Sequence, residues 1–197
     1  MDILERAKEV ISTEQQALQF VSENLSDDFL KIVQTVQKRQ GKVVFTGVGK
    51  SGHIGTKLAA TFSSLGVTSI FVHSTEALHG DLGMINLEDI VFMMSNSGGT
   101  AEVLAMIPSL NKIGCTKIAF TSQPESALAK ACELTLSYQY ETEADRLNLA
   151  PTTSAIIMLS LGDSLGVALS ESLQFEREDF HLYHPGGALG AQLESDD

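Results

Sequence analysis

KVVFTGVGKSGHIGTKLAATFSSLGVTSIFVH, residues 42–73, decides the fold. Its first five residues are a short run of β-branched and aromatic side chains, and its last six, TSIFVH, repeat that pattern. Between them a glycine-rich turn, GVGKSGH at 47–53, opens a helix-like stretch at 51–65. A strand, a turn that starts a helix and a second strand make a βαβ unit, in which the strands run parallel and the helix covers one face.

Outward from this unit the alternation continues. Strand-like runs stand at 89–95 (DIVFMMS), 116–121 (TKIAFT) and 133–138 (ELTLSY), with helical stretches at 100–112 and 126–131 between them. Continuously apolar strands mark a sheet covered on both faces. The expected fold class is therefore α/β: a three-layer αβα sandwich on a five-stranded parallel sheet, doubly wound in the flavodoxin manner. Residues 2–23 and 27–39 read as two amphipathic helices, with Gly41 as a stop signal, and 151–173 as one long helix before a tail ending in HPGGALG. No repeat or Pro-rich linker divides the chain, so one domain over 1–197 is expected, with helical extensions at about 1–40 and 151–197 suited to subunit contacts.

A net charge of −12 excludes a general nucleic-acid surface, which needs clustered Lys and Arg to displace counterions. The first ten residues, MDILERAKEV, lack the apolar block of a secretory signal, so a cytoplasmic location is expected. The apolar stretch at 147–162 is interrupted by Pro151, Thr152, Thr153 and Ser154, and reads as a buried or interface helix rather than a membrane span. Cys115 and Cys132 have neither metal spacing nor a framework of pairs, which makes them packing residues.

Ligands of open parallel sheets bind beyond the carboxyl ends of the strands. After the first strand, the glycines of GVGKSGH, Gly47, Gly49 and Gly52, let the backbone approach an anion, while Ser51, the helix N–H groups and Lys50 supply donors and charge. Gly47, Gly49 and Gly52 also match the dinucleotide pattern G-x-G-x-x-G, with Glu76 as a candidate ribose ligand. A nucleoside-triphosphate P-loop is excluded, because its first glycine would fall at Val44. The third strand separates the remaining readings. It ends in SNSGGT, where Ser95, Ser97 and Thr100 converge on a second turn that suits one phosphate monoester, and dinucleotide binding has no use for such a second cradle.

The two turns together resemble the SIS (sugar isomerase) family, whose members hold phosphosugars between a G-x-G-x-S turn and an S-x-S-G-x-T turn. The resemblance implies phosphate or sugar contacts from Gly49, Ser51, Ser95, Asn96, Ser97 and Thr100; Gly99 departs from relatives that carry Glu or a polar residue there. Four stretches, GVGKSGH, EALHGDLGM (76–84), NLAPTTS (148–154) and FHLYHPGGALG (180–190), narrow the likeness to the arabinose-5-phosphate isomerases. That family interconverts D-ribulose 5-phosphate and D-arabinose 5-phosphate through an enediol, ahead of Kdo and lipopolysaccharide.

Carried onto matching positions, its functional set is Lys50, Glu102, Glu143 and His184, with His79 shaping the substrate pocket. The stretch EADRLNLAPT departs from the family's Glu-Ala-Cys-Pro, which leaves Glu141 and Glu143 both in view. Proton transfer between adjacent sugar carbons needs no cofactor; a zinc near His79, with Glu76, Asp81 and His184, is the alternative. His184 lies in the tail and is expected to enter a neighbouring subunit's site in a homotetramer. Many relatives append CBS domains and none lies in these 197 residues, so feedback from a nucleotide-activated Kdo product is expected to act competitively at the phosphate loops. A non-catalytic phosphosugar sensor and another SIS isomerase are the rival readings.

Overall fold

The computed structural model describes residues 2–186. Two helices, α1 (Ile3–Glu23) and α2 (Asp27–Gln37), precede β1 (Val43–Gly47), α3 (Gly49–Ser64), β2 (Ser69–His73), α4 (Ser74–Ala77) and β3 (Ile90–Met94). Then follow α5 (Ala101–Ala105), α6 (Ile107–Ile113), β4 (Thr116–Thr121), α7 (Ala127–Lys130), β5 (Leu134–Ser137), α8 (Thr153–Ser172) and α9 (Arg177–Tyr183). All five strands pair in parallel in the order β2-β1-β3-β4-β5. The direction of winding reverses between β1 and β3, so the crevice there is the topological switch point at which such sheets bind ligands.

Alternation along the buried strands builds two cores. Phe45, Phe92 and Phe120 face α2, α3 and α8, while Val44, Val91 and Ala119 face Val103, Met106, Leu110 and Leu128 of the opposite helical layer. Every residue of β1 and β3 is buried, which accounts for the apolar runs at 43–45 and 90–94. Phe45 stacks on Phe92 at 5.2 Å and meets the edge of Phe62 at 4.9 Å, locking α3 onto the switch-point strands.

Helix α8 is long and apolar enough by composition to cross a membrane, yet it is the sandwich's own core helix. A Cβ on Gly162 would lie 2.4 Å from Leu58, and one on Gly166 3.0 Å from Phe62, so these two glycines let α3 approach. At the amino edge of the sheet, Asp89 accepts the Lys42 N–H and ammonium at 2.9 and 2.6 Å, and Lys117 pairs with Glu133 at 2.8 Å. Burial alone would raise the Asp89 carboxyl, but its Lys42 and Asn86 donors outweigh that and hold its pKa below the ordinary range. Burial pushes the Cys132 thiol up to about 12 and raises Cys115 as well, as expected of inert packing residues.

The helix expected at 100–112 is two. Pro108, which has no N–H to donate, stands in the first turn of α6, and Met106 marks the break from α5. Helix α4, the 3-10 turn Asp81–Met84 and α9 lie where loop or tail was expected. Residues 187–190 of HPGGALG lie outside the described residues.

Candidate active site

Both glycine-rich turns leave the carboxyl ends of adjacent strands. Thr46 pairs with Met93, and a Cβ on Gly47 would stand 3.2 Å from the Met94 carbonyl, so the turns begin side by side. Gly47 and Gly52 serve each other, since a Cβ on Gly52 would lie 3.1 Å from the Gly47 carbonyl. Gly49 differs: its φ of +56° needs glycine, and open space surrounds it. Lys50 is exposed and Ser51 half-buried in the first turn of α3, where a sixteen-residue helix presents free N–H groups. Among the described residues Lys50 has no ion-pair partner.

In the second turn, Ser95 Oγ and Thr100 Oγ1 lie 2.7 Å apart, so one donates to the other and one hydroxyl hydrogen stays available. Ser97 Oγ accepts the Gly99 N–H at 3.2 Å, which leaves its own hydrogen free. Because α5 has only five residues, anion contacts here rest on hydroxyls and turn amides more than on a helix field. Gly98 has φ +61°, and a Cβ on it would stand 2.0 Å from Ser126 Oγ, the cap of α7. Gly98→Ala combines left-handed strain of about 1–2 kcal/mol with a clash of about 1–3 kcal/mol. A fall in melting temperature of roughly 5–15 °C, with weakened substrate binding, is the expected result in a thermal melt. Gly99→Ala serves as control: its Cβ meets only Ser97 Oγ, at 3.8 Å, so stability stays within about 0.5 kcal/mol.

Glu102 lies exposed in the first turn of α5, with no hydrogen-bond or ion-pair partner among the described residues. Helix α4 packs against α5 and bonds Ser74 Oγ to Thr46 Oγ1 at 2.9 Å, which brings the EALHGDLG stretch to the rim of the crevice. His79 there is exposed and Asp81 half-buried. Among the described residues of this one chain no three His, Cys, Asp or Glu side chains gather as metal ligands.

Glu143 is 7% exposed and fully engaged. Its Oε2 accepts the Thr152 N–H at 2.8 Å, the Thr152 hydroxyl at 3.2 Å and the Ser154 N–H at 3.1 Å. Its Oε1 accepts the Tyr140 hydroxyl at 3.1 Å and the Ser154 hydroxyl. Burial would raise its pKa, but these donors, Ser154 foremost, hold it below the ordinary range. The carboxylate thereby caps α8, whose Thr152 supplies no side-chain cap. Sequence reasoning missed this cap because donor and acceptor lie nine and eleven residues apart on an irregular loop. A polar cavity of about 600 Å³ opens beside it, lined by Asn96, Ser122, Gln139, Tyr140, Glu143 and Asn148. Glu141 is exposed on its wall.

His184 is not brought to this crevice within the chain. Its Nδ1 lies 2.9 Å from the Phe180 carbonyl, its Nε2 2.9 Å from Ser64 Oγ, and its ring stacks on Phe180 at 3.9 Å. The carbonyl can only accept, so Nδ1 carries a proton, and in the neutral ring Nε2 then accepts from Ser64. Ser64 ends α3 and Lys50 begins it, which separates them by about 20 Å at 1.5 Å per residue.

The SIS domain family model matches residues 37–168. Over 193 residues the chain is 46% identical to the arabinose 5-phosphate isomerase KdsD of Pseudomonas aeruginosa, covering 98% of this chain and 59% of that protein. With KdsD of Escherichia coli K12 it shares 44% over 192 residues, covering 98% and 58%. The chain therefore spans about three fifths of the length of these curated relatives. A solved E. coli CFT073 protein in complex with arabinose 5-phosphate superposes with a TM-score of 0.91 at 48% identity, covering 93% of this chain and 98% of that one.

Proposed function

Because the chain belongs to the SIS domain family, we propose that it is an aldose-ketose isomerase that interconverts D-arabinose 5-phosphate and D-ribulose 5-phosphate. The observation that carries this reading is the pairing of two anion-binding turns across the switch point, with Lys50 and Glu102 exposed on their helices. A phosphate monoester held by Ser51, Ser95, Ser97 and Thr100 places the other end of a pentose over the carboxyl ends of β1 and β3. There a base removes the C2 proton of the open-chain aldose, the C1 oxygen takes up negative charge beside Lys50, a proton passes from the C2 hydroxyl to that oxygen, and the base returns its proton to C1.

Glu102 is the proton-transfer group best placed for this, being exposed and uncommitted, and His184 of a neighbouring subunit assists ring opening. Like the full activity, the assembly is part of the reading: a homotetramer in the cytoplasm, independent of metal, feeding Kdo and lipopolysaccharide synthesis. The subunit association is supported by apolar side chains left on outer helices, among them Ile11 and Phe20 of α1 and Val167 of α8, 64%, 47% and 46% exposed. A nucleotide-activated Kdo product, itself a phosphate ester, inhibits by competing for the same two turns.

The test offers pentose and hexose 5- and 6-phosphates in turn and follows the product by NMR. Conversion of arabinose 5-phosphate in preference to the hexose phosphates is expected, and it should persist after exhaustive chelation. Preference for a hexose phosphate, or binding without turnover of any member, would overturn the assignment.

A further inference from the structure

We infer that Tyr140 and Tyr138 are positioning residues for the sugar-phosphate site, transmitting the hydrogen-bond direction imposed by the Glu143 carboxylate to Asn96 and so fixing the serine-rich turn. The inference rests on the phosphosugar reading of that turn and deepens it.

The bonds form one directed chain. A carboxylate only accepts, so Tyr140 must donate its hydroxyl hydrogen to Glu143 Oε1, at 3.1 Å. The Tyr140 oxygen is then free to accept, and it receives Asn96 Nδ2 at 2.9 Å. This fixes which way the Asn96 amide faces: its Oδ1 is turned to Tyr138, whose hydroxyl donates at 2.9 Å. Each member has one donor-acceptor sense, set at the Glu143 end. Burial, first among the causes, holds both phenols above the ordinary tyrosine range, so they stay protonated donors across the working pH.

Asn96 lies between two of the phosphate-turn serines, and its main chain is gripped as well. Its carbonyl accepts from Thr121 Oγ1 at 3.0 Å, Ser122 Oγ at 2.8 Å and Ser122 N at 3.1 Å. The phenols thus hold the side chain and β4 holds the backbone, so the turn between Ser95 and Ser97 has little freedom to rotate. Tyr138 is itself pinned, edge-on to Phe120 at 6.0 Å and stacked with Tyr140 at 6.3 Å.

The same geometry gives Glu143 its role. Five donors occupy its two oxygens. To take a substrate proton it would have to release a donor it already holds: Tyr140 or the Ser154 hydroxyl at Oε1, or the Thr152 and Ser154 donors that cap α8 at Oε2. It acts on the substrate through Tyr140 and Asn96.

The test uses the full chain with Tyr140→Phe, Tyr138→Phe and Glu143→Gln. It measures kcat and KM for arabinose 5-phosphate, and the dissociation constant of inorganic phosphate by titration calorimetry. Loss of this part-buried hydroxyl link predicts KM and the phosphate constant raised about 5- to 50-fold in Tyr140→Phe, with kcat falling less than about three-fold. A smaller shift of the same kind is expected in Tyr138→Phe, which also keeps the inference testable if Tyr140→Phe does not fold. Unchanged KM and unchanged phosphate binding in folded tyrosine variants would overturn it. So would a hundred-fold loss of kcat at constant KM in Glu143→Gln, which would make Glu143 a proton carrier. If the wild type converts no arabinose 5-phosphate but Tyr140→Phe still weakens phosphate binding, the inference stands and the isomerase reading falls.

Discussion

His184→Asn is expected to lower kcat for arabinose 5-phosphate by about 10²- to 10⁴-fold, the range for loss of a general acid or base, with secondary structure intact by circular dichroism. The prediction is demanding, because within one chain His184 sits at the far end of α3, bonded to Ser64 and stacked on Phe180. A loss of that size from a residue about 20 Å from Lys50 requires the imidazole to serve a different subunit's crevice. Complementation separates this from a structural effect. Oligomers mixed from His184→Asn and Lys50→Met subunits contain some sites with both native residues, and they should regain activity that neither variant has alone. Near-normal turnover in His184→Asn would remove the residue from the chemistry.

Lys50→Met is expected to lower kcat/KM by about 10²- to 10³-fold, comparable to removal of one oxyanion donor. Lys50 is the sole lysine or arginine in the two turns of a chain with net charge −12. No carboxylate neutralises it among the described residues, so its charge is free to act on a bound anion. Methionine keeps most of the stem and removes the charge. Melting temperature should hardly move, since the side chain is exposed. Activity unchanged by the substitution would mean that hydroxyls and helix N–H groups suffice.

Much of this was legible because it is local. The βαβ unit at 42–73 carries its strands in β-branched runs and its turn in glycines, and the structure sets β1, α3 and β2 there. SNSGGT was legible for the same reason, although the sequence alone could not separate Gly98, forced to φ +61°, from Gly99, which has room for a side chain. Likewise Gly47 and Gly52 read as anion-approach glycines, whereas they serve close backbone packing. What escaped is non-local. The Glu143 cap on α8 and the Tyr138–Asn96–Tyr140 chain depend on how the loop after β5 folds back over β3 and β4. The α5–α6 break was readable at Pro108 and was masked by the helical pattern around it.

Turnover of arabinose 5-phosphate in deuterium oxide tests the central claim most directly. Proton transfer through an enediol predicts ribulose 5-phosphate labelled at C1 and recovered arabinose 5-phosphate labelled at C2 by NMR. Full turnover with no solvent deuterium at either carbon would contradict it, because hydrogen would then pass between the carbons without visiting an exchangeable base.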